Sequence, residues 1–279
     1  MSVQTRKTAV TFSELVKILE DGGSEAPVLE ATELICHFEG VSRPMARFTR
    51  ASSKELLSAI EKRLNGTPIQ YIIGEWDFMG YTFSVSPACL IPREDTEVLC
   101  RYLTENCKRG GRFADLCTGS GCIAIAALLE RPDLSAVCVE LYPEAMDMAK
   151  KNATALGVSD RLEFILGDVC IPRDLASFDM IVSNPPYVTL EEMNGISREV
   201  QKEPRHALTD GGDGLSIIRK IIEIYPSMLK EGGSLAIEIG WKQGPAVCAI
   251  AESHGLCSRI LKDSENRDRV VVIKRKETV

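Results

Sequence analysis

The chain has 279 residues, of which 44% are hydrophobic and 26% are charged, and its formal net charge is −7. This length accommodates one large α/β domain and a small accessory domain. The acidic balance argues against a large duplex-DNA footprint, which needs clustered Lys and Arg. No apolar run approaches membrane-spanning length, and residues 1–7 have no apolar stretch behind their charges, so we expect neither a membrane span nor a signal peptide.

The ten cysteines and three histidines predict neither disulfide bonds nor a metal site. The cysteines form no Cys-x-x-Cys pair and lie mostly in apolar runs, and His37, His206 and His254 are far apart in the chain. We therefore expect buried, reduced thiols in a cytoplasmic protein.

Residues 1–66 predict a small helical domain. Residues 11–14 and 52–55 form capping-box patterns, each followed by apolar residues at helical spacing. Pro27 begins a further helix that runs towards Gly40. We expect this domain to recognise a partner or to cover a site.

Residues 67–93 have a different character. Residues 71–74 and 81–85 are β-like runs separated by Gly and polar residues, which predicts a β-hairpin that links two domains.

From residue 94 to residue 279, strand and helix patterns alternate, which predicts a mostly parallel sheet with helices on both faces. Ligands bind such sheets at the carboxyl ends of the strands. The predicted strands cover residues 112–117, 136–141, 162–166, 180–183, 234–239 and 269–274. The predicted helices cover residues 123–130, 144–156, 215–229 and 245–253.

A glycine-containing loop joins the first of these strands to a helix. Its glycines let a ligand approach the backbone, and the helix N-terminus offers free N–H groups, although the spacing also fits a loose dinucleotide fingerprint or a plain strand-to-helix turn. Asp115 favours a ligand with an amino group, such as the methionine part of S-adenosylmethionine, because a carboxylate repels a pyrophosphate. The predicted cofactor-binding residues of this loop are Asp115, Cys117, Thr118, Gly119, Ser120 and Gly121.

Two further acids follow the next two strands. Glu140 is placed to accept hydrogen bonds from both ribose hydroxyls of an adenosine, and Asp168 to receive the adenine amino group, with Val169 beside the ring. Taken singly, each acid has an alternative interpretation: Glu140 as a solvent-facing charge at a strand end, and Asp168 as a turn-forming residue. The three acids together predict the nucleoside pocket of a methyltransferase.

The stretch Asn184-Pro185-Pro186-Tyr187 ends a buried-strand pattern. Its two prolines remove N–H donors and hold the chain extended, so the strand ends there and opens into a cleft. The nitrogen of an amide or a heterocyclic amine is a weak nucleophile, and accepting both of its N–H protons raises its reactivity. We expect Asn184 Oδ1 and the Pro185 carbonyl to be these acceptors and Tyr187 to stack on the flat substrate. We also expect all four residues of the stretch to contact the substrate and Asn184 to contact the cofactor. An Asn turn at a proline-rich strand exit is the alternative.

With these residues the chain resembles the peptide chain release factor N5-glutamine methyltransferases. The resemblance implies a seven-stranded class I S-adenosylmethionine-dependent methyltransferase fold, Rossmann-like, with a small N-terminal helical domain and a linking β-hairpin. It also implies that the acceptor is the glutamine of the Gly-Gly-Gln loop in class I release factors, that S-adenosylhomocysteine is the product, and that the N-terminal helices grip the release factor. Besides residues 184–187, the resemblance rests on residues 66–75, 90–93, 96–97, 203–208, 212–215, 238–240 and 243.

Three positions depart from the family pattern. Cys117 stands where the family usually has Gly, Glu140 stands where Asp is more usual, and Glu94-Asp95 replaces the family's Pro-Glu. None of these changes removes a catalytic group, and we expect Cys117→Gly to be tolerated.

Three other functions compete with this interpretation. An adenine-N6 nucleic-acid methyltransferase shares the amine chemistry but needs a basic groove and a base-flipping region. The acidic balance of the chain and its non-basic N-terminal helices argue against both, so we expect no sequence-specific nucleic-acid binding. A scaffold that has lost activity conflicts with the complete set of site residues. An NAD-dependent dehydrogenase fits the glycine loop but gives residues 184–187 no role.

Overall fold

The computed structural model describes residues 9–173, 175 and 177–276, so the prediction about a signal peptide lies outside the described residues. These residues form two compact units. The first consists of the described chain up to Gly74 together with Ser197–Lys202, and the second of Glu75–Ile196 together with Glu203 and the rest of the described chain. None of the helices in the described ranges is long and apolar enough to cross a membrane.

The first unit is mainly helical. Thr11 caps its first helix through a capping box with Glu14, whose backbone N–H donates to the Thr11 hydroxyl at 3.3 Å, as the sequence predicts. A two-residue antiparallel pairing, which sequence patterns did not reveal, joins the start of this helix to a later turn. The elements are β1 Val10–Thr11, α1 Phe12–Asp21, α2 Pro27–Glu39, α3 Arg43–Ala46, β2 Arg50–Ala51, α4 Lys54–Leu64 and α5 Ile69–Ile73.

Two predictions for this unit were wrong in detail. The cap of α4 is Ser53, one residue later than the predicted box, because its hydroxyl accepts the Leu56 N–H at 3.3 Å. Residues 71–74, predicted as a β run, belong to α5. Pro68 precedes this short helix, and Gly74, with φ +84°, ends it in a conformation that suits Gly.

A buried ion cluster holds the first unit together. Arg63 donates from Nε and Nη2 to the two carboxylate oxygens of Glu30, both at 2.8 Å, and from Nη1 to Glu199 at 2.7 Å. Because Arg63 and Glu30 are only 6% and 8% exposed, removing one partner would leave a buried charge unpaired.

The second unit contains the predicted sheet. Within the described chain it has seven strands in the order β10-β11-β9-β8-β5-β6-β7, in which β5 to β9 run parallel, while β11 is antiparallel to β9 and to β10. Apolar side chains fill both faces of the sheet, in agreement with a parallel sheet covered by helices. The strands are β5 Arg112–Leu116, β6 Ser135–Glu140, β7 Leu162–Leu166, β8 Phe178–Ser183, β9 Leu229–Glu238, β10 Leu256–Lys262 and β11 Asp268–Arg275.

The helices of this unit agree with the predicted alternation, but α6, the short α9 and the edge strand β10 were not predicted. A hairpin of β3 Glu75–Phe78 and β4 Tyr81–Ser84 precedes them and packs on the sheet's core through Phe78 and Phe83. The helices are α6 Glu97–Asn106, α7 Cys122–Glu130, α8 Pro143–Ala155, α9 Arg205–Leu208, α10 Ser216–Ile224 and α11 Gly244–Ser253. Short 3₁₀ segments cover Glu94–Thr96, Ser159–Arg161, Glu192–Asn194, Val200–Lys202 and Tyr225–Met228.

Candidate active site

A cavity of about 920 Å³, measured to its open mouth, lies at the carboxyl ends of the parallel strands in the second unit. Its wall contains residues that directly follow β5, β6, β7 and β8, which is where the sequence placed the site. Its lining combines apolar side chains such as Ile91, Ile123 and Val169 with a few polar groups, which is typical of a small-molecule site.

The glycine loop between β5 and α7 forms one side of the cavity. Cys117, Gly119 and Gly121 all have positive φ values, of 60°, 57° and 80°. A Cβ on Gly121 would lie 2.8 Å from Ile125 and 3.2 Å from Ala149, so the close packing of two helices requires Gly there. At Cys117 the same backbone conformation carries a side chain, which makes this the strained position of the loop.

Asp115, on β5, is fully buried. Its Oδ2 accepts the Thr118 hydroxyl at 2.6 Å, while Oδ1 has no hydrogen-bond partner of normal geometry among the described residues. Burial raises the pKa of Asp115 to about 7; the hydrogen bonds from Thr118 and the Ala124 N–H oppose the rise, and the charge of Glu140 adds to it. No cationic side chain in the described part of the chain pairs with this carboxyl, so no ion pair stabilises its ionised form.

Glu140, at the end of β6, lines the cavity but is already engaged by the backbone. Its Oε2 accepts the Gly119 N–H at 2.9 Å, and its Oε1 accepts the N–H groups of Leu141 and Tyr142 at 2.9 and 3.1 Å. A carboxylate has about four acceptor positions, so about one remains. Accepting both ribose hydroxyls, as the sequence predicts, would require one backbone N–H to give way.

Two stacked aromatic rings and Asp168 form a further part of the cavity wall. Tyr142 and His206 stack with their ring centroids 3.5 Å apart and an interplanar angle of 25°. Burial lowers the pKa of His206 and raises that of Tyr142, so both rings are neutral at pH 7. Asp168 lines the cavity beside the buried Val169, and its Oδ1 also accepts the Cys170 N–H at 2.8 Å, so it makes the turn contact of the alternative interpretation too.

Asn184 and Pro186 lie on the cavity wall directly after β8, whose end is next to the end of β5 that carries the glycine loop. Asn184 Nδ2 donates to the Thr96 hydroxyl at 3.2 Å, which leaves Oδ1 as the end of the amide that a ligand can use. Pro185 is buried behind them.

Tyr187 is held from both ends. Its hydroxyl donates to Glu238 Oε1 at 3.2 Å, and its carbonyl oxygen accepts Gln243 Nε2 at 3.0 Å. Gln243 also accepts the Gly240 N–H at 2.9 Å, so it connects the end of β9 to the loop after β8. Burial raises the pKa of the Tyr187 hydroxyl far above its ordinary value, so this group acts only as a neutral donor or acceptor.

The wall formed by residues 88–93 is anchored by one buried acid. Glu203 accepts the Ile91 N–H at 3.1 Å and pairs with the guanidinium of Arg93, and its side chain is 1% exposed. The sequence assigned this wall to a linker, although Arg93 and Glu203 both lie in segments that carry the family resemblance.

The predicted site residues divide into two groups. One group lies behind the cavity wall and consists of Asp115, Gly121, Pro185 and Tyr187. The predicted roles of both groups stay predictions. The residues on the wall itself are Cys117, Thr118, Gly119, Ser120, Glu140, Asp168, Asn184 and Pro186.

Sequence patterns missed several polar groups at the cavity. Tyr142, His206 and Thr96 line it, and Glu238 lies directly behind Tyr187. Only the family segments pointed towards Thr96, His206 and Glu238, whereas no pattern pointed to Tyr142. The described residues contain no group of His, Cys, Asp and Glu that could hold a metal ion.

Comparisons with known proteins agree with this geometry. A family model for the methyltransferase small domain matches residues 94–237, and a model for the PrmC N-terminal domain matches residues 12–74. A methyltransferase from Pyrococcus furiosus has a similar structure, with a TM-score of 0.53 and 17% identity over 69% of this chain and 88% of that chain. The seven-stranded class I methyltransferase fold is thereby confirmed.

Two relatives carry the same descriptive name. The release factor glutamine methyltransferase of Moorella thermoacetica is 36% identical over 276 residues, which cover 95% of this chain and 98% of that protein. The release factor glutamine methyltransferase of Neisseria gonorrhoeae is 40% identical over 275 residues, which cover 94% and 97%. Because the likeness spans nearly the whole length of each partner, the chain belongs to the release factor glutamine methyltransferase family.

Proposed function

We propose that this protein transfers a methyl group from S-adenosylmethionine to the side-chain amide nitrogen, N5, of the glutamine in the Gly-Gly-Gln loop of class I peptide chain release factors. The observation that carries the proposal is that the Asn184 amide lies on the wall of the cavity that the glycine loop forms, in a chain of this family. A substrate of translation places this activity in the cytoplasm.

The cavity suits the methyl donor. The Oδ1 of the buried Asp115, which has no hydrogen-bond partner of normal geometry among the described residues, is an acceptor for the methionine ammonium. Asp168 and Glu140 are the acceptors for the adenine amino group and a ribose hydroxyl. When bound, S-adenosylmethionine supplies an electrophilic sulfonium methyl group, and S-adenosylhomocysteine is the product.

The acceptor nitrogen is activated by hydrogen bonding rather than by a strong base. Asn184 Oδ1 and the Pro185 carbonyl accept the two N–H protons of the glutamine amide, which favours the pyramidal nitrogen of the transition state. The rigid Pro185-Pro186 backbone and the anchored Tyr187 hold the flat amide in line with the methyl group. Once the new C–N bond has formed, the nitrogen becomes acidic and its extra proton passes to solvent.

A methylation assay with three acceptors tests this proposal. The protein is incubated with labelled S-adenosylmethionine and a class I release factor, the same factor with its loop Gln replaced by Ala, or adenine-containing DNA. We expect label on the intact factor only. Label on the Gln→Ala factor, or on DNA alone, would overturn the assignment.

The Asn184→Ala variant tests the catalytic role separately. We expect kcat to fall by about 100-fold or more, as when a hydrogen-bonding group of a transition-state site is removed, while S-adenosylhomocysteine affinity stays within about threefold. Asn106→Ala is the matched control, because Asn106 ends α6, outside the cavity wall. A collapse of cofactor affinity in Asn184→Ala would reassign Asn184 to the cofactor.

A further inference from the structure

The orientation of the Asn184 amide decides whether it accepts or donates towards the cavity. An amide side chain presents an oxygen at one end and two N–H donors at the other. In this structure Nδ2 is bound to Thr96 Oγ1 at 3.2 Å, and Thr96 is 2% exposed. If the amide rotated by half a turn, it would present a donor to a substrate that itself offers N–H groups.

Thr96 connects Asn184 to a buried carboxylate. Its hydroxyl faces the Glu238 carboxyl, and this contact favours the ionised form of Glu238. Glu238 Oε2 has no hydrogen-bond partner of normal geometry in the described part of the chain. A hydroxyl has one proton to donate, and an ionised carboxylate only accepts. Above a pH of about 7, where Glu238 is ionised, the Thr96 proton is attracted to this carboxylate, so Thr96 accepts from Asn184 and the Asn184 orientation with Oδ1 free is selected.

Glu238 serves the neighbouring aromatic ring as well. It is 1% exposed at the end of β9, and its Oε1 accepts the Tyr187 hydroxyl at 3.2 Å. Burial raises the pKa of Glu238 to about 7; Arg269 favours its ionised form, and Asp95 opposes it. One buried carboxylate thus orients both side chains at the two ends of the Asn184–Tyr187 stretch.

We propose that Thr96 and Glu238 are positioning residues that fix the Asn184 amide with its oxygen towards the acceptor nitrogen and hold the Tyr187 ring in place. Neither residue needs to touch the reacting atoms. This inference rests on the proposed function, because it assigns the Asn184 oxygen to a substrate N–H.

Thr96→Val keeps the shape of the side chain and removes the hydroxyl, and Thr96→Ser restores the hydroxyl. We expect Thr96→Val to lower kcat by about 10- to 100-fold, the usual effect of removing a partner that orients a functional group, with S-adenosylhomocysteine affinity unchanged within about threefold. Thr96→Ser should recover most of the lost turnover. In an Asn184→Ala background, Thr96→Val should cause no further loss, because the amide that it orients is already absent.

A readout that does not depend on turnover separates this inference from the proposed function. In ¹⁵N-labelled protein, the Asn184 side-chain NH₂ resonances, identified by their loss in Asn184→Ala, should show slowed solvent exchange in the wild type and in Thr96→Ser. This protection should disappear in Thr96→Val.

Wild-type protein that shows this protection but does not methylate the release factor would refute the proposed function and leave the orientation confirmed. Full turnover in Thr96→Val, or unchanged protection in that variant, would overturn the positioning role.

Discussion

The buried Asp115 makes the stability of this protein depend on pH in a direction opposite to that of a salt-bridged acid. Burial raises its pKa from 3.8 to about 7. In the unfolded chain the carboxyl ionises near its ordinary pKa, whereas in the folded chain it stays protonated until the pH approaches 7. The contribution of Asp115 to stability is therefore fully present below its unfolded pKa and is lost as the pH rises through 7.

Asp115→Asn removes this dependence, because an amide does not ionise. Each pH unit between the two pKa values corresponds to about 1.36 kcal/mol, so the full penalty of ionising Asp115 is about 4 kcal/mol. The contribution of Asp115 to the free energy of unfolding changes only up to its folded pKa of about 7. Between about pH 5.5 and pH 8.5 it therefore falls by about 2 kcal/mol. We expect the stability of the Asn variant relative to the wild type to rise by this amount over that range.

Urea denaturation of both proteins at the two pH values, without cofactor, measures the difference. Any pH-independent effect of the Asn side chain cancels when the two pH values are compared, and the titration of Glu238, whose pKa burial also raises to about 7, cancels when the two proteins are compared. A difference between variant and wild type that does not change with pH would refute the assigned pKa of Asp115. In a second measurement, S-adenosylhomocysteine should bind the variant about 10- to 100-fold more weakly at pH 8.5, the usual effect of losing a charge-assisted hydrogen bond. Equal affinities would exclude Asp115 as the ammonium partner.

Three further changes test the loop, the first unit and the cavity wall. Cys117→Gly should be more stable to urea than Cys117→Ala by about 1 kcal/mol, since φ is +60° there, and the reverse order would show that the strain is absent. Arg63→Ala should lower the free energy of unfolding by about 3–5 kcal/mol, against about 0.5 kcal/mol or less for the exposed Lys62→Ala, and equal effects would contradict the buried ion cluster. Glu203→Gln should weaken S-adenosylhomocysteine binding in calorimetry by about tenfold through loss of its charged anchor, whereas the exposed Glu231→Gln should bind normally.

The sequence predicted the sheet because the sheet depends on local patterns. Apolar strands that alternate with helices require a parallel sheet, and the carboxyl ends of its strands carry Asp115, Glu140, Asp168 and Asn184 to one edge. One error arises where the local pattern is ambiguous. Residues 71–74 have no alternation and could be strand or helix, and only the positions of the flanking Pro and Gly resolve the ambiguity.

Two further features were missed because they depend on the folded surroundings of a residue. Edge strand β10 has mixed polarity because one of its sides faces solvent, so its sequence lacks the continuous apolar run of a central strand. Glu140 was expected to offer a free carboxylate, but neighbouring N–H groups of the folded backbone already occupy three acceptor positions. Such competition depends on backbone atoms that no side-chain pattern reports.

Two buried acids each have one carboxylate oxygen without a hydrogen-bond partner of normal geometry among the residues that the structure describes, and they lie on β5 and at the end of β9. Asp115 has an unpartnered Oδ1 beside the glycine loop, and Glu238 has an unpartnered Oε2 behind Tyr187. The pKa of each carboxyl is raised, so ionisation of either one lowers the free energy of unfolding. An apolar residue at either position would therefore stabilise the protein. Buried acids of this kind are typical of functional sites, where stability is exchanged for a preorganised ligand environment. Under the proposed function, Asp115 pairs with the ammonium group of the cofactor, whereas Glu238 orients the neutral side chains of Thr96 and Tyr187. Asp115→Asn should therefore reduce cofactor affinity, and changes in the Glu238–Thr96 pair should reduce turnover at constant cofactor affinity.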